Sequence, residues 1–215
     1  MQETQMLADC GVHCVGLPLR LPVNKEDITE DEAREIIQQT CTHILPVCIT
    51  YLDKAEDIVQ FCSELNITHV QLHGHVELAE LQKLARIAPD LYIIKSLVIQ
   101  ADGSNKKALL QVVKDSAPYV DAYITDTHNS KTGADGATGL THDWNISAEL
   151  VQQSPRPIIL AGGLTADNVA EAIRIVKPSG VDAHTGVEDA TGRKSQTLVY
   201  KFVQEAAKAF AKLTG

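Results

Sequence analysis

The chain has 215 residues, and its 19 basic and 28 acidic side chains give a formal net charge of −9 at pH 7. An acidic chain without a basic cluster is a poor partner for nucleic acid or an anionic membrane surface, so we expect neither. No signal peptide begins the chain, and no apolar run reaches the roughly 18 residues of a membrane span, which indicates a cytoplasmic protein. Hydrophobic residues make up 44% of the chain, which is enough for a substantial core.

Short apolar runs alternate with amphipathic segments along almost the whole chain, which is typical of parallel strands joined by crossover helices. We predict helices over residues 2–8, 29–39, 54–65, 76–87, 105–114, 147–153, 166–176 and 196–213. We predict strands over residues 13–17, 43–49, 68–72, 91–99, 122–125, 157–161 and 181–184. Thr29 is expected to cap the second helix in a capping box with Glu32. Residues 127–143 are predicted to form a long polar loop, and loops of this length are often functional.

Seven strands and eight helices predict one α/β domain over residues 1–215, of the TIM (β/α)8-barrel type but one strand short. The chain opens on a helix, so the first barrel strand is the one that is missing. Strand edges are usually covered or paired. We therefore expect an open or distorted barrel whose gap, between strands 13–17 and 181–184, is closed by the first helix or by the partner in a homodimer.

The cysteines indicate reduced thiols. They are five in number, an odd count, and no two form a CxxC pair, which is not typical of a disulfide framework. They are Cys10, Cys14, Cys41, Cys48 and Cys62. Cys14, Cys48 and Cys62 stand in apolar surroundings, so we expect them to be buried as small hydrophobic side chains.

Two glycine-bearing turns follow the last two predicted strands. Gly162 and Gly163 follow one strand, and Thr185 and Gly186 follow the other. Glycine lets backbone N–H groups approach a ligand closely, and a turn that opens onto a helix N-terminus attracts anions. Barrel loops after strands 7 and 8 frequently bind phosphate. The pattern predicts a small phosphorylated sugar ligand held by these four residues; the alternative is that the glycines only form turns.

Five segments stand in a characteristic order along the chain. They are Val70-Gln71-Leu72-His73-Gly74; Ile94-Lys95-Ser96-Leu97; Asp126-Thr127 with Gly136-Ala137-Thr138-Gly139-Leu140-Thr141-His142-Asp143-Trp144; Leu160-Ala161-Gly162-Gly163-Leu164 with Asn168-Val169; and Gly180-Val181-Asp182 through Gly186-Val187-Glu188. Together they resemble the phosphoribosylanthranilate isomerase family of tryptophan biosynthesis, which has the (β/α)8 fold.

The resemblance implies an Amadori rearrangement, in which a phosphoribosyl amine opens its ring and moves a proton from C2 to become an amino-ketose. This reaction needs an acid at the ring oxygen and a base at C2. Asp126 matches the family's acid; a capping or bracing role is the alternative. The family's base is a cysteine in a Lys-x-Cys-Gly motif on strand 1, and this sequence has no such motif. Cys10 and Cys14 are expected to lie away from the catalytic face.

Four further residues are candidates for contacts with the substrate. Gln71 is predicted to point into the barrel, as a ligand contact or as an interior amide. His73 is a ligand contact or a polar residue at the loop edge. Arg20 is the candidate partner of the anthranilate carboxylate, because the resemblance aligns Glu26 with the family's arginine. His184 stands at one of two family serines, where its ring N–H would add a donor.

No cofactor is predicted. His128 and His142 lie in the long loop, but their spacing is not typical of metal ligands, so we predict no metal site. His142 stands at a family phenylalanine, and Ser195 stands where the family has an aspartate. Two other interpretations stay open: the barrel binds a phosphorylated ligand as a binding or regulatory protein without the family reaction, or a strand with Lys-x-Cys-Gly precedes Met1.

Overall fold

A computed structural model describes residues 2–21, 28–40, 44–129, 134–135 and 141–213. Eight α-helices occur among these residues: Gln2–Asp9 (α1), Glu30–Thr40 (α2), Ala55–Leu65 (α3), Leu78–Ile87 (α4), Lys106–Ser116 (α5), Trp144–Gln153 (α6), Val169–Val176 (α7) and Gln196–Ala211 (α8). Short 3-10 turns occupy Ala117–Tyr119 and Thr185–Val187. None of the helices in this part of the chain has the length and apolar character that crossing a membrane requires.

Eight strands lie in the same described ranges: Cys14–Pro18 (β1), Leu45–Thr50 (β2), His69–Leu72 (β3), Tyr92–Ile99 (β4), Ala122–Asn129 (β5), Ala134–Asp135 (β6), Ile158–Leu160 (β7) and Gly180–Val181 (β8). The parallel strands pair in the order β1-β2-β3-β4-β5-β7-β8, and the short β6 pairs antiparallel with β5. Representative register partners are Gly16 with Val47, Gln71 with Ile94, and Ile159 with Gly180. Seven parallel strands and eight helices confirm the predicted count within the described part of the chain.

The chain divides into two compact units. The first comprises residues 1–96 and 115–122, and the second comprises residues 97–114 and 123–215. The first unit holds β1, β2, β3 and the start of β4; the second holds the end of β4, most of β5, and β7 and β8. One domain over residues 1–215 stays a prediction.

Each unit has an aliphatic core between strands and helices. In the first unit, Ile58, Phe61 and Leu65 of α3 are buried at spacings of three and four residues. In the second unit, α7 buries Val169, Ala172, Ile173 and Val176 at the same helical spacing. This spacing places one face of each helix against the core, as the sequence pattern predicts.

The structure corrects the predicted loop over residues 127–143. β5 continues through residue 129 and forms a short hairpin with β6, in which His128 pairs with Asp135. Thr125 and Thr127 are fully buried, and β-branched side chains favour such an extended, packed backbone. Asp126 therefore lies within β5 and not at its end. Residues 130–133 and 136–140 of this loop are outside the described residues.

The predicted capping box at α2 is confirmed. The backbone N–H of Thr29 donates to Glu32 Oε2 at 2.7 Å, and the backbone N–H of Glu32 donates to Thr29 Oγ1 at 3.2 Å. Two backbone donors at the start of α2 are thereby satisfied, which favours initiation of the helix at Glu30.

Burial of the cysteines was only partly predicted. Cys48 and Cys62 are buried as expected, and burial raises the pKa of each thiol to about 12. The expectation for Cys14 is wrong, because Cys14 is exposed at the start of β1, on the same exposed face as Gly16. Cys10 is buried, and Cys41 is outside the described residues.

Candidate functional site

The turn after β7 has a backbone that only glycine adopts readily. Gly162 and Gly163 have φ angles of 102° and 63°, in the left-handed region. Asn168 fixes the turn from the other side: its Nδ2 donates to the Gly163 carbonyl at 3.0 Å, and its Oδ1 accepts from the Thr165 N–H at 2.8 Å. Residues 164–168 connect the turn to α7, which begins at Val169. Asn168, the residue before α7, therefore ties Gly163 to the start of that helix.

The turn after β8 packs directly against the turn after β7. A Cβ on Gly186 would overlap the carbonyl oxygen of Leu164 and would lie 3.0 Å from Thr165 Cγ2. Gly186 belongs to the 3-10 turn Thr185–Val187, and the Glu188 N–H donates back to the Thr185 carbonyl at 3.2 Å. The two turns singled out in the sequence thus meet in one place, and their contact requires a residue without a side chain.

An ion-pair cluster lies directly beside the second turn. The Nδ1 atom of His184 is 3.1 Å from Glu188 Oε1, and Lys194 Nζ is 2.6 Å from the same oxygen. Lys194 Nζ also donates to the His184 carbonyl at 3.1 Å. Sequence reasoning missed Lys194. An isolated antiparallel β-bridge pairs its backbone with that of Glu188, and residue spacing does not reveal this reversal of the chain. Ser195 accepts from the Leu198 N–H and caps α8, which is the kind of cap that an aspartate provides.

Asp126 lies in the same unit as the two turns. It is partly buried, and its Oδ1 accepts from the Thr127 N–H at 2.7 Å. Thr125, the residue before Asp126, faces the opposite side of the strand. Its Oγ1 donates to the Ala161 carbonyl at 3.1 Å and accepts from the Ala161 N–H at 3.0 Å. β5 is thereby tied to Ala161, the residue that follows β7 and precedes Gly162.

A buried histidine connects β5 to α6. His142 is 6% exposed; its Nδ1 lies 2.9 Å from Thr127 Oγ1, and its Nε2 lies 2.6 Å from Ser147 Oγ. Burial lowers the pKa of His142 to about 4, so the ring is neutral at pH 7. Within the described ranges, no three His, Cys, Asp or Glu side chains are grouped so that they could hold a metal ion. The side chain of His128 and residues 136–140 are outside the described residues.

A second polar cluster lies in the first unit, where the end of β3 adjoins the middle of β4. Gln71 Nε2 donates to Ser96 Oγ at 3.1 Å, and Ser96 Oγ lies 3.2 Å from His73 Nδ1. The ring of His73 also packs edge-on against Tyr51, with 5.0 Å between ring centroids. Gln71 and His73 are each 8% exposed. They are hydrogen-bonded interior groups, and their contact with a ligand stays a prediction.

Lys95 is a buried amine that sequence reasoning did not single out. Its side chain is 7% exposed, and Nζ donates to the carbonyls of Gly74 at 2.8 Å, Ser96 at 3.3 Å and Leu72 at 3.4 Å. Burial lowers the pKa of Lys95 to about 8. The sequence does not predict the burial of this lysine, because lysine side chains usually reach solvent even from an apolar strand.

Arg20 is engaged by neighbouring helices. Its Nε donates to Glu30 Oε1 at 2.8 Å, its Nη2 donates to Glu64 Oε2 at 3.1 Å, and its guanidinium carbon lies 3.8 Å from the centre of the Phe61 ring. These contacts tie the segment after β1 to α2 and α3. A contact between Arg20 and a substrate carboxylate stays a prediction, and the aligned Glu26 is outside the described residues.

Comparison with known proteins identifies a family for this chain. The family model for N-(5'-phosphoribosyl)anthranilate isomerase matches residues 13–205. A relative from Methanosarcina mazei, N-(5'-phosphoribosyl)anthranilate isomerase 2, is 37% identical over 214 residues, which cover 99% of this chain and 92% of the relative. The chain also resembles the solved phosphoribosylanthranilate isomerase of Thermotoga maritima, with a TM-score of 0.79, 25% identity, and coverage of 96% and 94% of the two chains.

Two further solved structures share the fold. One is a phosphoribosylanthranilate isomerase in complex with reduced 1-(o-carboxyphenylamino)-1-deoxyribulose 5-phosphate, with a TM-score of 0.77, 23% identity, and coverage of 96% and 93%. The other consists of monomers generated from the dimeric enzyme of Thermotoga maritima, with a TM-score of 0.76, 23% identity, and coverage of 96% and 93%. These neighbours have the TIM-barrel fold, and the likeness confirms that fold class for this chain.

Proposed function

Because the chain belongs to the N-(5'-phosphoribosyl)anthranilate isomerase family, we propose that it isomerises N-(5'-phosphoribosyl)anthranilate to the corresponding amino-ketose in tryptophan biosynthesis. The observation that carries the proposal is the close packing of the two glycine turns in the unit that also holds Asp126. The residues of the two turns would bind the ligand's phosphate. The carboxyl of Asp126, on a neighbouring strand, would act on the ribose ring.

The phosphate is assigned to Gly162, Gly163, Thr185 and Gly186. Three of these residues lack a side chain, so their backbone N–H groups are open to close approach by an anion. The Thr185 hydroxyl adds a further donor, and the N–H groups of Lys194 and His184 lie beside the turn. A charge-assisted hydrogen bond contributes about 1.5–3 kcal/mol, so several of them would supply most of the affinity for the ligand.

Asp126 is assigned as the general acid that protonates the ring oxygen when the ribose opens. Its carboxyl is partly buried and oriented by the Thr127 N–H, which suits a group that must deliver a proton to one atom. The proton at C2 must leave to a base before the enol becomes a ketone. No residue is assigned that role, because the sequence contains no Lys-x-Cys-Gly motif.

The experiment is a turnover assay with phosphoribosylanthranilate, in which loss of substrate fluorescence is followed for the wild type and for Asp126→Asn. The expected result is turnover by the wild type and a kcat about 10²- to 10⁴-fold lower in the variant, the usual contribution of a general acid. Asp102→Asn is the matched control, because Asp102 is an exposed carboxylate of the same unit that caps a surface turn through the Ser104 N–H. It should retain wild-type rates.

Two outcomes would contradict the proposal. A wild-type kcat in Asp126→Asn would show that Asp126 is not the general acid. Tight binding of the phosphorylated product analogue by a wild type that shows no turnover would favour the alternative, a binding or regulatory protein.

We also propose a homodimer in which the partner covers the edge of β1. Among the described residues, β1 pairs only with β2, and an open strand edge is usually covered. Light scattering should give twice the 23.3 kDa mass of one chain. Cys14→Lys, which places a charge on this exposed strand, should shift the mass to that of a single chain. A wild type of single-chain mass would contradict the proposal.

A further inference from the structure

Three buried polar side chains form a continuous connection from β5 to α6. Thr127 and Ser147 are 0% exposed and His142 is 6% exposed. The two ring nitrogens of His142 lie 2.9 Å from Thr127 Oγ1 and 2.6 Å from Ser147 Oγ. A neutral imidazole donates through one nitrogen and accepts through the other, so both hydroxyls and both nitrogens are satisfied.

This connection contacts both parts of the proposed site. At one end, the Thr127 N–H holds the Asp126 carboxylate at 2.7 Å. Gly162 packs against the same threonine: a Cβ at Gly162 would overlap Thr127 Oγ1 and would lie 3.2 Å from His142 Nδ1. The hydrogen bond between Thr127 and His142 therefore lies directly beneath the first glycine turn.

We propose that His142 is a positioning residue, which fixes Asp126 and the Gly162 turn relative to each other by holding Thr127 against α6. The assignment of this role rests on the proposed isomerase function. His142 acts through Thr127 and Ser147 and not on the reacting atoms. Without the hydrogen bonds of His142, the Thr127 hydroxyl can rotate toward Gly162. The position of the first glycine turn relative to β5 is then no longer fixed.

The alternative role for His142 is that of a space-filling side chain. Phenylalanine is similar in size to histidine but neither donates nor accepts, so His142→Phe separates hydrogen bonding from volume. Thr127→Val removes the hydroxyl with little change in shape, whereas Thr127→Ser keeps it. The two threonine variants form a matched pair at the other end of the same hydrogen bond.

The test measures kcat and KM for phosphoribosylanthranilate together with binding of inorganic phosphate followed by NMR. We expect His142→Phe and Thr127→Val each to lower kcat about 10- to 100-fold and to weaken phosphate binding, because a small misplacement at a site has effects of this size. Thr127→Ser should stay within about threefold of the wild type. The double variant His142→Phe/Thr127→Val should be little worse than His142→Phe alone, because that substitution already removes the hydrogen bond to Thr127.

Failure of this proposal is distinguishable from failure of the proposed function. Folded His142→Phe and Thr127→Val with wild-type kcat, KM and phosphate binding would overturn the positioning role while leaving the isomerase assignment intact. If the wild type has no turnover, the phosphate titration decides: weaker binding in both variants supports the positioning role, and unchanged binding overturns it.

Discussion

Gly186 packs against the carbonyl oxygen of Leu164 so closely that a Cβ at position 186 would overlap that oxygen. Leu164 follows the first glycine turn and Gly186 belongs to the second, so this contact joins the two turns. Neither backbone can yield easily, since Asn168 fixes one turn and the 3-10 hydrogen bond fixes the other.

Gly186→Ala should therefore separate the two turns and weaken binding of the phosphorylated substrate. We expect kcat/KM to fall about 10²-fold or more, because the turns would no longer hold one anion together. Gly180→Ala is the control: it makes the same change in β8, where the new Cβ would meet only Ile159 Cγ1 at an ordinary 3.8 Å. Equal kcat/KM in the two variants would show that the contact between the turns has no role in binding.

The buried ring of His142 predicts how stability depends on pH. Its pKa is about 4 in the folded protein and about 6.5 when unfolded. Between these values the unfolded chain binds the proton and the folded protein does not, so stability is lost as the pH falls from about 6.5 toward 4. The loss between pH 7.5 and pH 5 should be about 2 kcal/mol.

Urea unfolding of the wild type and His142→Phe at both pH values isolates this contribution, since other titrating groups are common to both proteins. Between pH 7.5 and pH 5, the unfolding free energy of the wild type should decrease relative to that of His142→Phe. Parallel pH profiles would mean that His142 is not held neutral in the folded protein.

Lys95 predicts the opposite pH range. Its pKa is about 8 in the folded protein, below its ordinary value of 10.5. Burial of the charged ammonium therefore lowers the free energy of unfolding, and this cost has its full size below pH 8. This cost is relieved as the pH rises toward 10.5, because the folded protein releases the proton first. Relative to Lys95→Met, the wild type should gain about 2 kcal/mol of stability between pH 7 and pH 10.

Lys107→Met is the control for that series, because Lys107 is an exposed lysine on α5. The gain in stability between pH 7 and pH 10 should be larger relative to Lys95→Met than relative to Lys107→Met. A gain of equal size for both lysines would contradict the burial of the Lys95 ammonium.

Local sequence patterns predicted most of the fold. Apolar periodicity identified each helix and parallel strand, and Thr29 with Glu32 marked the start of α2, because these signals depend on neighbours a few positions apart. The glycine turns were also recognisable, since Gly162 and Gly163 adopt a backbone that few other residues tolerate. The end of β5 was not predicted, because it depends on a hairpin partner.

The connections within the site were harder to predict. Lys95 lies in an apolar strand, and its burial depends on carbonyls from another strand. The sequence places His142 in a loop. In the structure its ring hydrogen-bonds to two buried hydroxyls, Thr127 on β5 and Ser147 on α6. Such contacts are set by register and packing, which residue spacing alone does not encode.

Binding of the phosphate of a phosphoribosylanthranilate-type ligand by the two glycine turns is the property on which the proposed function most depends. It is tested most directly by calorimetric titration of the wild type with reduced 1-(o-carboxyphenylamino)-1-deoxyribulose 5-phosphate and with the same compound lacking its phosphate. We predict that one phosphorylated molecule binds per chain and that removing the phosphate weakens binding about 10²-fold or more, the loss of at least two charge-assisted hydrogen bonds. Equal affinity for both compounds, or no binding of the phosphorylated one, would show that the two glycine turns do not bind the ligand's phosphate.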